Sequence, residues 1–480
     1  MPQNDASQTP AALATWAAFG YLAGVFIHAG FPFSQTAAWI MAFAVLTGIV
    51  AFTRLRSVGI FMLAATLGLL RFDLSIPRGN MPTEFSGKVV EARRYDVVVR
   101  PNEGGRIAIP VKRSIGERVH VSCASVKRLD PTNPQSVRDA RDGVWFTCKK
   151  PDVVHLQSGG FYVNVIVSRW RDAMSRRIRS VLPGDEGALL AGILYGERGL
   201  SKDASESFRN AGMTHLIAVS GSNITLVVGL LVPLFVAMGY RRKSAIVLSG
   251  FGIFLFVLFV GAQASVVRAA LMGWFALLAR TFGRKADAAR LLAIAATVIV
   301  LFDPWALAFD AGFALSFLAT WGLIAWARPI AERLSWIPET FGLREIIATT
   351  VAATVVTTPY SLWAFERTSL AGLITNLFAI PLVGLTMLWG AVAVALATLL
   401  PVAALPVRGC LRAMLGIASL ADRLPWLRLA VSLPTWGFFF VQAAMMLIWN
   451  RNRAEKVDYP HEPTPFDEKH PFLRAFVRPS

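Results

Sequence analysis

Residues 215–224 read HLIAVSGSNI and open an apolar stretch that runs from His215 to Tyr240. Ser220, Gly221, Ser222 and Asn223 sit inside that stretch, where a lipid-facing helix has no use for them. Gly and Ser in series loosen a helix, and Ser or Asn side chains can satisfy the carbonyls that loosening frees. Two chemistries fit this pattern. Unwound segments inside spans line transport paths and hold solutes, and small residues let neighbouring helices pack closely. Arg268, in AQASVVRAALMGW, puts a charge in mid-span. A charge there is expensive and faces a partner or water, so function is the default reading. Asp303 and Asp310 flank PWALAF near a span boundary, placed either to pair with Arg268 or to mark the loop. Asn376, with Pro381 soon after, suggests a second broken helix.

Several chemistries are excluded. The six histidines, at 28, 120, 155, 215, 461 and 470, are scattered singly and form no HxH or HExxH cluster, so a zinc site has no support. Ser220-Gly221 lacks the preceding Gly of a nucleophile elbow, and no Walker A motif occurs. The chain is therefore expected to be no enzyme and to use no cofactor or metal. Energy for any transport has to come from elsewhere.

The elements that must position these residues follow from composition. Of 480 residues, 55% are hydrophobic and 16% charged, against about 25% charged in soluble chains. Several apolar runs reach the ~20 residues that cross a bilayer. Spans are expected near 11–30, 36–52 and 58–71, then near 214–239, 244–260, 262–282, 288–302, 309–327, 344–363, 369–385, 387–401 and 430–449. MPQNDASQTP carries no basic residue, so the first run is expected to be a retained span rather than a signal peptide. Basic loops at 241–243, 284–285, 328–333 and 451–456 then share the cytoplasmic side. The net charge of +18 reflects partly that rule and partly, on a sharper reading, an anionic polymer as partner.

Residues 78–157 change character. SGKVVEARR, YDVVVRP, GRIAIPVK, ERVHVSCASVKRL and GVWFTCKK alternate and are rich in Val and Ile, as strands are. About five strands in this length suggest a small β-barrel of the OB type, and the topology places it outside the cytoplasm. Cys123 and Cys148 lie on two of these strands, either as a disulfide favoured by an oxidising compartment or as buried thiols. SRWRDAMSRRIRSVL reads as an amphipathic helix lying on the membrane, and 406–428 as a second surface helix. The expected fold class is a polytopic α-helical membrane protein of about 10–12 spans plus interfacial amphipathic helices, with an inserted extracytoplasmic β-barrel domain of OB type. Its parts are N-terminal helices over 1–77, the β-domain over 78–157, amphipathic helices over 158–213, a transmembrane domain over 214–450 and a flexible cytoplasmic tail from 451 to 480.

GILYGERGLSKDASESFRNAGMTHLIAVSGSNITLVVGL (192–230) resembles the signature of the ComEC family of competence DNA-uptake channels. Gly196, Glu197, Arg198, Phe208, Arg209, Gly212, His215, Leu216, Ala218, Ser220 and Gly221 carry the likeness. ASVVRAALMGW (264–274), DPWALAFDAGFALSFLATWGL (303–323) and TNLFAIPLVGL (375–385) follow in order. The resemblance implies a bacterial inner-membrane channel that passes single-stranded DNA into the cytoplasm, with His215, Ser220, Gly221, Ser222, Asn223, Arg268, Asp303, Asp310 and Asn376 on the path. It implies a periplasmic OB-like domain that receives the strand. That stretch, residues 80–156, has 14 Lys/Arg against 9 Asp/Glu, and basic grooves with aromatic platforms suit single strands. Lys88, Arg93, Arg94, Arg100, Arg106, Lys112 and Arg113 are candidate phosphate contacts, with Tyr95, Trp145 and Phe146 as candidate stacking rings; each is otherwise a solvated strand face or barrel core. Implied partners are membrane lipids, a periplasmic DNA receptor, and a cytoplasmic ATPase or single-strand-binding proteins. Two departures from the family pattern stand out. Family members commonly add a C-terminal metallo-β-lactamase-like domain; the sequence runs to 480 without it, so any nuclease is expected to be a separate protein. Ser222-Asn223 replaces the Leu-His of many relatives. Rival readings are a secondary transporter of a smaller anionic solute and a non-transporting envelope protein with a ligand-binding OB-like domain.

Overall fold

The structure, a computed structural model, describes residues 10–30, 56–76, 81–92, 96–101, 106–111, 117–129, 139, 144–157, 163–197, 199–217, 221–261, 264–281, 287–338, 342–396 and 401–454. The span expected near 36–52 and most of the tail expected from 451 lie outside them. In chain order the elements are α1 (Pro10–Gly30), α2 (Arg56–Asp73), β1 (Glu84–Ala92), β2 (Val97–Pro101), β3 (Arg106–Ile109), β4 (Arg118–Arg128), β5 (Val144–Gln157), α3 (Val163–Val181), α4 (Asp185–Tyr195), α5 (Lys202–Asn210), α6 (Thr214–Ile217) and α7 (Gly221–Ala237). There follow α8 (Arg242–Val260), α9 (Ala264–Thr281), α10 (Ala288–Phe302), α11 (Ala306–Phe309), α12 (Ala311–Arg333), α13 (Leu343–Phe365), β6 (Thr368–Ser369), α14 (Gly372–Leu396), α15 (Leu405–Asp422), β7 (Arg428–Leu429) and α16 (Thr435–Ala454). They form two compact units, Met1–Ala173 with Thr297–Asp310, and Met174–Ala296 with Ala311–Ser480.

In the first unit, α1 and α2 pack backbone to backbone. A Cβ at Gly24 would lie 1.9 Å from the Ala65 carbonyl oxygen, and one at Gly20 would lie 2.2 Å from that of Phe61. Four-residue spacing of small residues puts both on one helix face and allows this approach. The five strands close into a barrel in the order β1-β2-β3-β5-β4, with β3 and β5 parallel and the other pairs antiparallel. Phe85, Val89, Val99, Ile107, Val119 and Val121 point inward and are buried. Closure removes the open edges that a five-stranded sheet would otherwise expose. A disulfide joins Cys123 on β4 to Cys148 on β5, their Cα atoms 5.5 Å apart.

The barrel is fastened to the helices of its unit through one tryptophan. The Asp303 carboxylate accepts from the Trp305 backbone N–H at 3.2 Å and turns the chain after α10. The Trp305 indole then donates to the Ser75 hydroxyl at 2.9 Å. Its ring lies 4.8 Å from Phe72, 5.2 Å from Trp145 on β5 and 5.3 Å from Phe309. Arg71 donates to the Leu301 and Phe302 carbonyls at 2.8 and 3.2 Å, supplying donors to a helix end that has none of its own.

In the second unit a core of Ile178, Leu189, Ile193, Phe208, Met213 and Leu411 draws on α3, α4, α5, α15 and the turn after α5. Among the described residues five helical stretches are long and apolar enough to cross a membrane: Lys243–Val260, Ala311–Arg333, Leu343–Phe365, Gly372–Leu396 and Val402–Asp422. The protein is a multi-pass membrane protein built mostly of helices, with a small five-stranded barrel. Three expectations change. The spans drawn at 369–385 and 387–401 are one helix, α14, and the break expected at Asn376 is absent because the helix runs through Pro381. Inside a helical bundle the carbonyl freed by a proline can be satisfied by neighbours, so the helix need not stop. The surface helix expected over 406–428 ends at Asp422 and meets span length and hydropathy. Leu13–Ile27, Ser265–Ala276, Ala288–Phe302 and Thr435–Trp449 are apolar but shorter than these five, and 36–52 is outside the described residues, so five of the expected 10–12 spans qualify among the described residues.

The disulfide closes 25 residues of chain, a loop whose closure is worth about 3 kcal/mol. In a Cys123→Ser/Cys148→Ser double variant, hydrogen exchange at β4 and β5 amides should report an opening free energy lower by about that amount. Unchanged protection would mean the strands hold without the link.

Candidate functional site

Helix α6 ends at Ile217 and α7 begins at Gly221. Ser220 lies between them, outside the described residues, and Gly221 and Ser222 form the first turn of α7. Asn223 is buried, and its amide donates to the Ile193 carbonyl at 2.9 Å. Ile193 belongs to the last turn of α4, whose carbonyls find no donor within their own helix. One amide therefore ties the start of α7 to the end of α4.

The turn after α5 is built on the same accounting. Phe208 is fully buried in the core, and the helix ends two residues later. Gly212 then takes φ +70°, a conformation that favours glycine, and a Cβ there would sit 2.9 Å from the backbone of Gly372. Three successive carbonyls are left over, and three side chains meet them. Ser369 donates to Asn210 at 2.5 Å, Thr375 donates to Ala211 at 2.9 Å, and the His215 Nδ1–H donates to Gly212 at 3.2 Å. The segments 192–230 and 375–385, far apart in sequence, thus meet at α5, β6 and the start of α14. His215 closes this turn.

Asn376 follows Thr375 and is buried, and its Oδ1 has no hydrogen-bond partner among the described residues. The same holds for Nε of Arg268 on α9, which is 9% exposed, and for the hydroxyls of Thr350 on α13 and Thr386 on α14. The Arg268 guanidinium lies 5.8 Å from the centre of the Phe317 ring on α12, a cation–π distance. Asp303 and Asp310 belong to the other unit. Asp303 acts as the cap described above, and Asp310 takes the extended backbone that separates α11 from α12.

Three acidic residues, of which the motif in the sequence contains only Glu197, tie elements of this unit together. Glu186 accepts from Arg408 at 2.8 Å and Arg412 at 2.7 Å, joining α4 to α15. Asp422 accepts from Ser207 at 3.2 Å and Asn210 at 2.8 Å and pairs with Arg428. Glu197 accepts from Ser175, from the Tyr195 hydroxyl at 2.8 Å and from Arg179 at 2.8 Å. Burial pushes the Glu197 carboxyl up, but these hydrogen bonds and the Arg179 charge outweigh it and hold the group below its ordinary value of 4.5. The one available signal was the four-residue spacing of Arg408 and Arg412, which puts both on one face of a helix.

On the barrel, Lys88 of β1 stands opposite Arg100 of β2, and Arg106 opens β3 on its exposed side. Trp145 is 3% exposed and packs edge-on against Trp305, and Phe146 is buried as well, so neither offers a face to a base. The alternation of β5 could not show this, because a neighbour 160 positions away covers the ring. Arg93, Arg94, Tyr95, Lys112 and Arg113 lie outside the described residues.

Two outcomes are expected. Asn223→Ala leaves the Ile193 carbonyl buried without a donor, a loss of about 1–3 kcal/mol, read as a lower melting temperature of the full chain in detergent. Asn223→Asp, which puts an acceptor against that carbonyl, should lose more. Because the folded value for Glu197 is lowered, its stabilisation is fully present above pH 4.5 and is lost as the pH falls through the folded value. The melting temperature of Glu197→Gln should therefore fall less steeply below pH 4.5 than that of the wild type.

The family model described as Competence protein matches residues 193–453, more than half of the 480-residue chain. Over 215 residues the chain is 28% identical to ComE operon protein 3 of Bacillus subtilis (strain 168), a match that covers 45% of this chain and 27% of that protein. The aligned part is therefore about a quarter of the relative's length. No solved structure matches the chain. The matched region contains α5 to α9, the Gly212 turn and the buried Asn223 and Asn376, and on that match the chain belongs to the competence protein family.

Proposed function

We propose that this protein is an inner-membrane channel that passes single-stranded DNA into the cytoplasm during natural transformation. Family membership supports a role in DNA uptake. The observation that carries the channel reading is a set of buried polar atoms without partners among the described residues. They are Arg268 Nε, Asn376 Oδ1 and the hydroxyls of Thr350 and Thr386. In hydrocarbon such groups each cost several kcal/mol (roughly 1–3 even in proteins). A wet path, or the phosphates passing along it, would satisfy them.

The barrel is read as OB type on its strand order with parallel β3 and β5. It is read as periplasmic on its disulfide, a bond of oxidising compartments. On this reading the chain conducts rather than catalyses and uses no cofactor. A periplasmic receptor delivers DNA, a nuclease removes one strand, and a cytoplasmic ATPase or single-strand-binding proteins draw the other inward.

Labelled DNA followed in cells deleted for this gene tests the reading. DNA should reach the periplasm and fail to enter the cytoplasm. Arg268→Ala, which removes a charged contact of about 1.5–3 kcal/mol, should lower entry about tenfold or more with the protein still in the membrane. Normal entry in the deletion strain would turn the reading toward transport of a smaller anionic solute.

A further inference from the structure

Arg268 is seated on aromatic rings. Arg268, Met272 and Ala276 follow at four-residue spacing on one face of α9. Met272 and Ala276 are buried in a small core with Leu291, Leu292 and Ala295 of α10, and Phe317 of α12 packs against the same core. Phe313, one turn earlier on α12, is buried and stacks on Phe317, with ring centres 4.3 Å apart and planes inclined by 26°. The Arg268 guanidinium lies over the Phe317 ring, 5.8 Å from its centre. Among the described residues it makes no hydrogen bond and no ion pair, and its Nε is buried.

A ring holds a cation differently from an acid. A carboxylate would occupy the N–H fork and cancel the charge. A ring attracts through its quadrupole and covers only a face. The N–H donors at the guanidinium edge then stay available, and the charge is not cancelled. Phe313 and the small core fix Phe317 in turn, because closely packed side chains have little room to move. A planar fork held this way matches the two free oxygens of a phosphodiester.

We propose that Phe317, backed by Phe313, is a positioning residue that presents the Arg268 fork, with its charge uncancelled, to the phosphodiester groups of the passing strand. This rests on the DNA-channel reading and names what holds its central arginine in place.

The test follows labelled DNA into the cytoplasm of cells that make the full chain at matched levels in the membrane. Phe317→Leu, which stays apolar and loses the ring, should lower entry about tenfold. Phe317→Tyr, which keeps the ring face, should recover it. In an Arg268→Gln background Phe317→Leu should lower entry no further, which a role in packing alone does not predict. Arg268→Lys keeps the charge without the fork and should fall with Phe317→Leu. If Phe317→Leu does not reach the membrane, Phe317→Met fills the space with a flexible chain and carries the same expectation. Wild-type entry in Phe317→Leu or in Arg268→Lys, no recovery in Phe317→Tyr, or a further tenfold loss in the Arg268→Gln background would overturn the inference. So would phospholipid that copurifies with the wild type and is lost in Arg268→Gln while entry holds, a result that gives the fork to a lipid headgroup. Entry that persists in the deletion strain removes the channel reading and this role together. Entry that needs the gene but not the Phe317 ring removes this role alone.

Discussion

A helix that ends within an apolar surround leaves backbone carbonyls that water does not reach, and each of them must find a donor. That constraint explains the unit formed by α4 to α7 and α14. Carbonyls of Ile193, Asn210, Ala211 and Gly212 accept from Asn223, Ser369, Thr375 and His215. The polar residues that interrupt the apolar segments are therefore not scattered. Asn223, Ser369 and Thr375 are donors to the ends of helices that come from elsewhere in the chain, and His215 closes its own turn. Gly212 matters because only a residue free to take positive φ without a Cβ lets the α5 turn lie on Gly372.

Once these polar groups are assigned to structure, those left over stand out more sharply. Arg268, Asn376, Thr350 and Thr386 keep buried polar atoms without partners among the described residues. An arginine 9% exposed and backed by a phenylalanine ring retains its attraction for an anion, and in a low-dielectric surround that attraction is large. The polar inventory divides in two: donors that end helices on one side, buried groups without partners among the described residues on the other.

The first unit rests on a different device. Trp305 gathers Phe72, Phe309 and Trp145 and hydrogen-bonds Ser75. Large aromatic rings bury much area for little lost freedom, and an indole N–H with a partner adds direction. The DPW segment thereby orients the barrel, and Asp303 is the cap that turns Trp305 inward.

Hydropathy and charge in the sequence determined the membrane class, and Val/Ile alternation located the five strands. The ordered motifs pointed to the family. These are local properties, because periodicity and propensity act within a few residues of each other. Tertiary structure alone decided which polar residues are spoken for. Asn223 meets a carbonyl 30 positions away, Asp422 an asparagine 212 positions away, and Trp145 is covered by Trp305. It also decided that Pro381 stays within one helix. Each of these depends on which backbones close packing brings together, and spacing along the chain carries no record of that.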